Sequence, residues 1–123
     1  MELSINVAEN VNFESVSDTV KMLSKSVQSI AKELHWIYKE KDTEKLFQWM
    51  EDNAIDFTYI VDRKKRLKGA EILVGFGGPN IYVDTRDCSV KGYWGIDYVR
   101  CYLSTEACEW IDENYIEDLY ELN

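Results

Sequence analysis

The chain has 123 residues, enough for one compact domain and too few for two ordinary ones. Hydrophobic residues make up 46% of it and aromatic residues 13%, which excludes an acidic disordered tail. Acidic residues outnumber basic ones 23 to 14, a formal net charge of -9, so the overall field repels nucleic acid and anionic membranes, and direct binding to either is not expected.

Ser15 and Ser17 can each cap a helix, and Val16, Val20, Leu23, Val27, Ile30, Leu34 and Ile37 then recur in alternating steps of four and three residues. The stripe predicts a helix over Asp18 to Lys39, with Phe13 continuing its register backwards. Such a stripe has two uses. It can pack along the domain's own sheet, which the apolar segments that follow favour, or form a homodimer through Val20, Leu23, Val27, Ile30 and Leu34.

Asp42 caps a shorter predicted helix bearing Leu46, Phe47, Trp49 and Met50 and ending near Asn53, so the two helices form a hairpin. From Asp56 the pattern changes to short runs of β-branched and aromatic residues separated by turn formers. Strands are predicted at Phe57 to Val61, Glu71 to Phe76, Ile81 to Asp84, Val90 to Trp94 and Tyr98 to Leu103. Their short connections favour an antiparallel meander over parallel crossovers. Ser104 or Thr105 opens a last helix with Cys108, Ile111, Tyr115, Leu119 and Leu122 on one face. The expected architecture is a single α+β domain over 1–123. It comprises a helical hairpin at 13–53, an antiparallel sheet of about four to five strands at 56–103 and an acidic C-terminal helix at 104–122.

Cys88, Cys101 and Cys108 cannot all pair within one chain, and Met1 to Val11 lacks the basic flank and apolar run of a signal peptide. Reduced thiols and a cytoplasmic location are expected. The longest uncharged stretch, Ile72 to Val83, contains three glycines and a proline and is too short to span a bilayer as a helix.

Divided along this map, the charge is bipolar. Residues 1–41 carry six acids and five bases, 42–62 six and one, 63–103 four and eight, and 104–123 seven and none. The last segment holds Glu106, Glu109, Asp112, Glu113, Glu117, Asp118 and Glu121. In one helix, Glu109 with Glu113, Glu113 with Glu117 and Glu117 with Glu121 are like-charge i,i+4 pairs that cost about 0.2 to 0.5 kcal/mol each. Acids in the last turn also oppose the helix dipole. Local stability does not select this arrangement, so compensation is expected from a basic partner or from the chain's own basic segment. Seven carboxylates over fifteen helical steps advance about 22 Å, roughly one charge per 3.7 Å, near the ~3.4 Å phosphate spacing along one DNA strand. Such a helix can imitate a nucleic-acid backbone, although a solvated acidic face has similar spacing. Trp110 and Tyr120 lie among the acids and suit either partner anchoring or core packing.

The other chemical candidates are weaker. Arg63, Lys64, Lys65, Arg66 and Lys68 form a basic run between two predicted strands; it reads as a solvated hairpin loop, with phosphate contact or pairing with the acidic helix as alternatives. Gly75 to Asn80 follows a strand but lacks the P-loop Lys-Ser/Thr and the dinucleotide spacing, so a tight turn is expected. Asp84, Asp87 and Asp97 match no metal-loop spacing. His35 has no cysteine near it in sequence, and the cysteines form no CxxC knuckle. No cofactor, metal or catalytic group is expected.

The segment from Ile55 to Leu122 nevertheless resembles small accessory proteins of Firmicutes phages and conjugative elements. The resemblance is carried by Ile72-Leu73-Val74-Gly75-Phe76-Gly77-Gly78-Pro79-Asn80-Ile81-Tyr82-Val83-Asp84-Thr85, by Gly92-Tyr93-Trp94-Gly95-Ile96-Asp97, and by the acidic Ile111-Asp112-Glu113 and Glu117-Asp118-Leu119-Tyr120. It covers a little over half the chain and brings no catalytic residues with it. Small acidic proteins of mobile elements often act against host defence nucleases, as anti-CRISPR and antirestriction proteins do. The resemblance therefore implies a non-enzymatic inhibitor whose acidic helices occupy the basic nucleic-acid-binding surface of a host protein.

Overall fold

The computed structural model describes residues 5–7 and 17–122. Ser17 caps α1 (Asp18–Glu40), its hydroxyl accepting from the Val20 amide at 3.1 Å. Lys41 ends the helix in the left-handed conformation, φ 53°, and the Asp42 carboxylate caps α2 (Thr43–Asn53) by accepting from the Lys45 amide at 3.0 Å. The expected hairpin is present, tied by the Trp49 indole N–H donating to Glu33 at 2.7 Å. Phe13 and the 13–16 part of the expected helical segment lie outside the described residues.

The strands are β1 (Ile5–Val7), β2 (Asp56–Val61), β3 (Leu67–Gly75), β4 (Asn80–Asp84), β5 (Ser89–Trp94) and β6 (Asp97–Tyr102). They pair antiparallel throughout in the order β1-β6-β5-β4-β3-β2. The α+β class is as expected, but the sheet has six strands. β1 is too short to show alternation in sequence, and it joins the edge by pairing Ile5 with Cys101 and Val7 with Val99.

One face of the sheet carries the core. Leu23 and Val27 of α1 lie directly on Gly92 of β5, where an added Cβ would come within 2.8 Å of Val27 Cγ2. That contact explains the glycine: only a strand position without a side chain lets the helix sit this close to the sheet. Val20, Leu23, Val27 and Leu34 are at most 3% exposed and Ile30 is half-buried against the core. The stripe is thus consumed inside the domain. Of the two uses the stripe offers, packing along the domain's own sheet is the one seen, with Val20, Leu23, Val27 and Leu34 buried against β5, β6 and the core.

Ser104 caps the last helical segment, accepting from the Ala107 amide at 3.1 Å. The segment is not one regular helix: α3 (Thr105–Ile111) passes through a π-helical turn (Asp112–Ile116) into α4 (Glu117–Glu121). The turn holds an extra residue, so the buried face passes from Ile111 to Ile116, five positions on, and not to Tyr115. Tyr115 is half-buried and Leu122, expected on the inner face, is 84% exposed. Tyr115 stacks on Phe57 of β2 with ring centroids 5.9 Å apart, seating the segment over the β2 side of the sheet. The opposite face, bearing Glu71, Tyr82, Lys91, Tyr93 and Arg100, has no helix over it among the described residues. Among those residues no helix is long and apolar enough to cross a membrane.

Candidate functional site

Glu106, Glu109, Glu113, Glu117, Asp118 and Glu121 are all exposed along α3, the π turn and α4, and none takes part in an ion pair among the described residues. Six carboxylates therefore stand on one helical segment without a direct ion pair among the described residues, and salt screens their mutual repulsion.

Asp112 is different. As the first residue of the π turn it points into the domain, and its Oδ1 is buried with no hydrogen-bond partner. Burial pushes its carboxyl up to about 6, and the negative charges of Glu117, Asp84 and Glu109 push the same way against the Thr85 hydroxyl, which favours the anion. It does not belong to the solvent-facing row.

Trp110 and Tyr120 are both half-buried and hold the helix to the domain. Trp110 meets Tyr38 of α1 edge-on at 6.1 Å, and the Lys41 ammonium lies 3.3 Å from the centroid of the Tyr38 ring. Tyr120 packs on Tyr59 at 5.1 Å and its hydroxyl donates to the Lys65 carbonyl at 3.0 Å. That bond brings the basic loop beside the end of α4. Two of its charges are engaged within the loop: Arg66 and Lys68 pair with Asp62 at 2.7 and 3.9 Å, and Asp62 also accepts from the Lys64 and Arg66 amides. These bonds, the Arg66 amide first, keep the Asp62 carboxyl below its usual range. The run is a hairpin loop braced by its own aspartate.

Phe47 of α2, 49% exposed, and Leu122 are large apolar side chains left exposed beside Asp118. Phe47, Tyr115, Asp118, Leu119 and Leu122 enclose an open groove of about 180 Å³ between α2 and α4. Phe47 meets Tyr115 edge-on at 5.1 Å and forms one wall. On its other side a shallower depression is lined by Thr43, Glu44, Phe47, Gln48 and Glu51, which the i,i+3 and i,i+4 spacing of α2 places on one face. Sequence reasoning missed this groove, because its walls lie about seventy positions apart and the π turn decides which residues face it.

The other candidates resolve into structural roles. Asp84, Asp87 and Asp97 do not converge: Asp84 faces Ser89 at one end of β5 and Asp97 faces Trp94 at the other. Asp84 and Asp87 instead hold Lys91 at 3.1 and 3.2 Å, and Arg100 reaches Asp87 at 3.3 Å. Burial disfavours the Lys91 ammonium, but the bonds from Asp84 and Asp87 outweigh it and raise its pKa. Burial likewise pushes Asp87 up, yet Lys91, Ser89 and Arg100 hold it below its ordinary value. Among the described residues no group of three or more His, Cys, Asp and Glu side chains could hold a metal ion. Gly75 to Asn80 is the β3–β4 connection, with Gly77 at φ 88°. His35 is buried beside Trp36 and its pKa is lowered by that burial, then by Lys39. Cys101 and Cys108 are buried thiols raised by desolvation, and Cys88 lies in the β4–β5 turn.

Fold and site together define an α+β domain that presents an exposed acidic helical segment next to an apolar groove. No family model, curated protein or solved structure matches the chain.

Proposed function

We propose that the protein is a non-enzymatic inhibitor that lays its acidic C-terminal segment into the basic nucleic-acid-binding surface of another protein, of the kind a host defence nuclease carries. The observation that carries this reading is the row of Glu106, Glu109, Glu113, Glu117, Asp118 and Glu121, exposed and without ion pairs among the described residues. Carboxylates that hold no ion pair keep their field available to a partner. The resemblance to small acidic proteins of mobile elements supports the choice of a defence nuclease as target.

Charge complementarity of this type steers encounter and competes with phosphates for the same lysines and arginines. The test is competition: the protein displaces labelled DNA from a target nuclease complex. The variant Glu109→Lys/Glu113→Lys/Glu117→Lys, altered only at exposed positions, loses displacement by at least tenfold while its circular dichroism is unchanged. Unaltered displacement by the folded triple variant overturns the reading.

A further inference from the structure

Exposed carboxylates raise association rates and select partners, but residence at an interface comes from apolar anchors seated in desolvated pockets. Trp110 and Tyr120 cannot supply that anchor because both are committed to packing the helix on Tyr38 and Tyr59. The groove between α2 and α4 can. Its lining is mostly apolar, Phe47 and Leu122 stand 49% and 84% exposed at its edges, and Asp118 sets a carboxylate in its wall. Asp118 lines the groove itself, Glu121 is one residue before Leu122, and Glu44 and Glu51 share the Phe47 face of α2. Lys45, the base of α2, is paired with Glu40 at 3.1 Å. An apolar slot with an acidic rim is complementary to an apolar side chain flanked by cations.

Resting on the acidic-face reading above, we infer that this groove receives a segment of the partner protein in which a large apolar side chain is flanked by lysine or arginine. The partner's apolar side chain enters between Phe47 and Leu122 and its cations meet Asp118 and the α2 glutamates. The carboxylate row then governs arrival and the groove governs departure.

Fluorescence anisotropy with three labelled synthetic helical peptides and the full chain tests this. The first peptide has a leucine face bordered by lysines, the second has the leucines replaced by serine, and the third keeps the leucines but has glutamine for lysine. The first is expected to bind at least tenfold more tightly than either of the others. Leu122→Ser, at a position too exposed to carry the fold, and Phe47→Ala, checked by circular dichroism, are expected to bring the first peptide to the level of the second. Equal binding of the first two peptides, or an unchanged affinity in folded Leu122→Ser and Phe47→Ala, overturns the groove as a docking site and leaves the acidic-face reading standing. Equal binding of the first and third peptides overturns the proposal together with the charge argument beneath it.

Discussion

Asp112 offers a sharp test of how the C-terminal segment is built. The fold favours its protonated form, raising the pKa from 3.8 to about 6. Between those values the native state keeps a proton that the unfolded chain has released, so stability falls as pH rises through this window and levels off above it. A shift of that size corresponds to a ceiling of about 3 kcal/mol, reduced to roughly 1 to 2 kcal/mol because the group retains partial contact with water. Asp112→Asn removes the ionisation and keeps the shape. Urea denaturation of both proteins from pH 4 to pH 7.5 should show little pH-dependent difference near pH 4 and a relative gain for the variant of about 1 to 2 kcal/mol by pH 7. A difference between Asp112→Asn and the parent that stays constant over the whole range would refute the buried carboxyl and with it the inward turn of the π segment.

Two further stability predictions follow from contacts in the sheet. Gly92→Ala drives a methyl to within 2.8 Å of Val27 and 3.2 Å of Leu23, and should cost about 1 to 3 kcal/mol by denaturation as α1 lifts from the sheet; Gly78→Ala, whose added methyl would meet only the Trp94 ring at 3.4 Å, should cost much less. Lys91→Met leaves the buried Asp84 carboxylate without its ammonium, while Asp87 keeps Arg100 and Ser89, and should lose about 2 to 4 kcal/mol near neutral pH. Because the partner Asp87 is held below its ordinary pKa, its share of that loss should shrink as pH falls below its ordinary value and it protonates, which urea titrations at pH 3 and pH 7 will measure.

The helices and most strand positions were legible because each repeats an apolar period over enough residues. The stripe from Val20 to Ile37 placed α1 to within a residue, and Ser17, Asp42 and Ser104 marked three helix starts by their side-chain caps. β3 begins at Leu67, four residues before its predicted start, because Lys68 and Gly69 interrupt the alternation. Gly69 adopts φ 148° where an added Cβ would meet Arg86 and Thr85, a contact from a distant turn that has no local signature. The C-terminal segment was legible in composition but not in facing. An α-helical count from Ile111 leads to Tyr115, whereas the π turn carries the buried face to Ile116 and leaves Leu122 in solvent. The same turn takes Asp112 out of the exposed row. A second apolar residue at Ile116, five positions after Ile111, was the one available hint.

The central claim is that Glu106, Glu109, Glu113, Glu117, Asp118 and Glu121 occupy a basic surface on a partner, and the salt dependence of that complex tests it most directly. Measured against a basic nucleic-acid-binding protein that the chain inhibits, affinity should fall by roughly tenfold or more between 50 and 200 mM monovalent salt. The slope of log Kd against log salt should flatten in Glu109→Lys/Glu113→Lys/Glu117→Lys. A slope near zero in the parent protein, or one unchanged in the folded triple variant, would contradict the account.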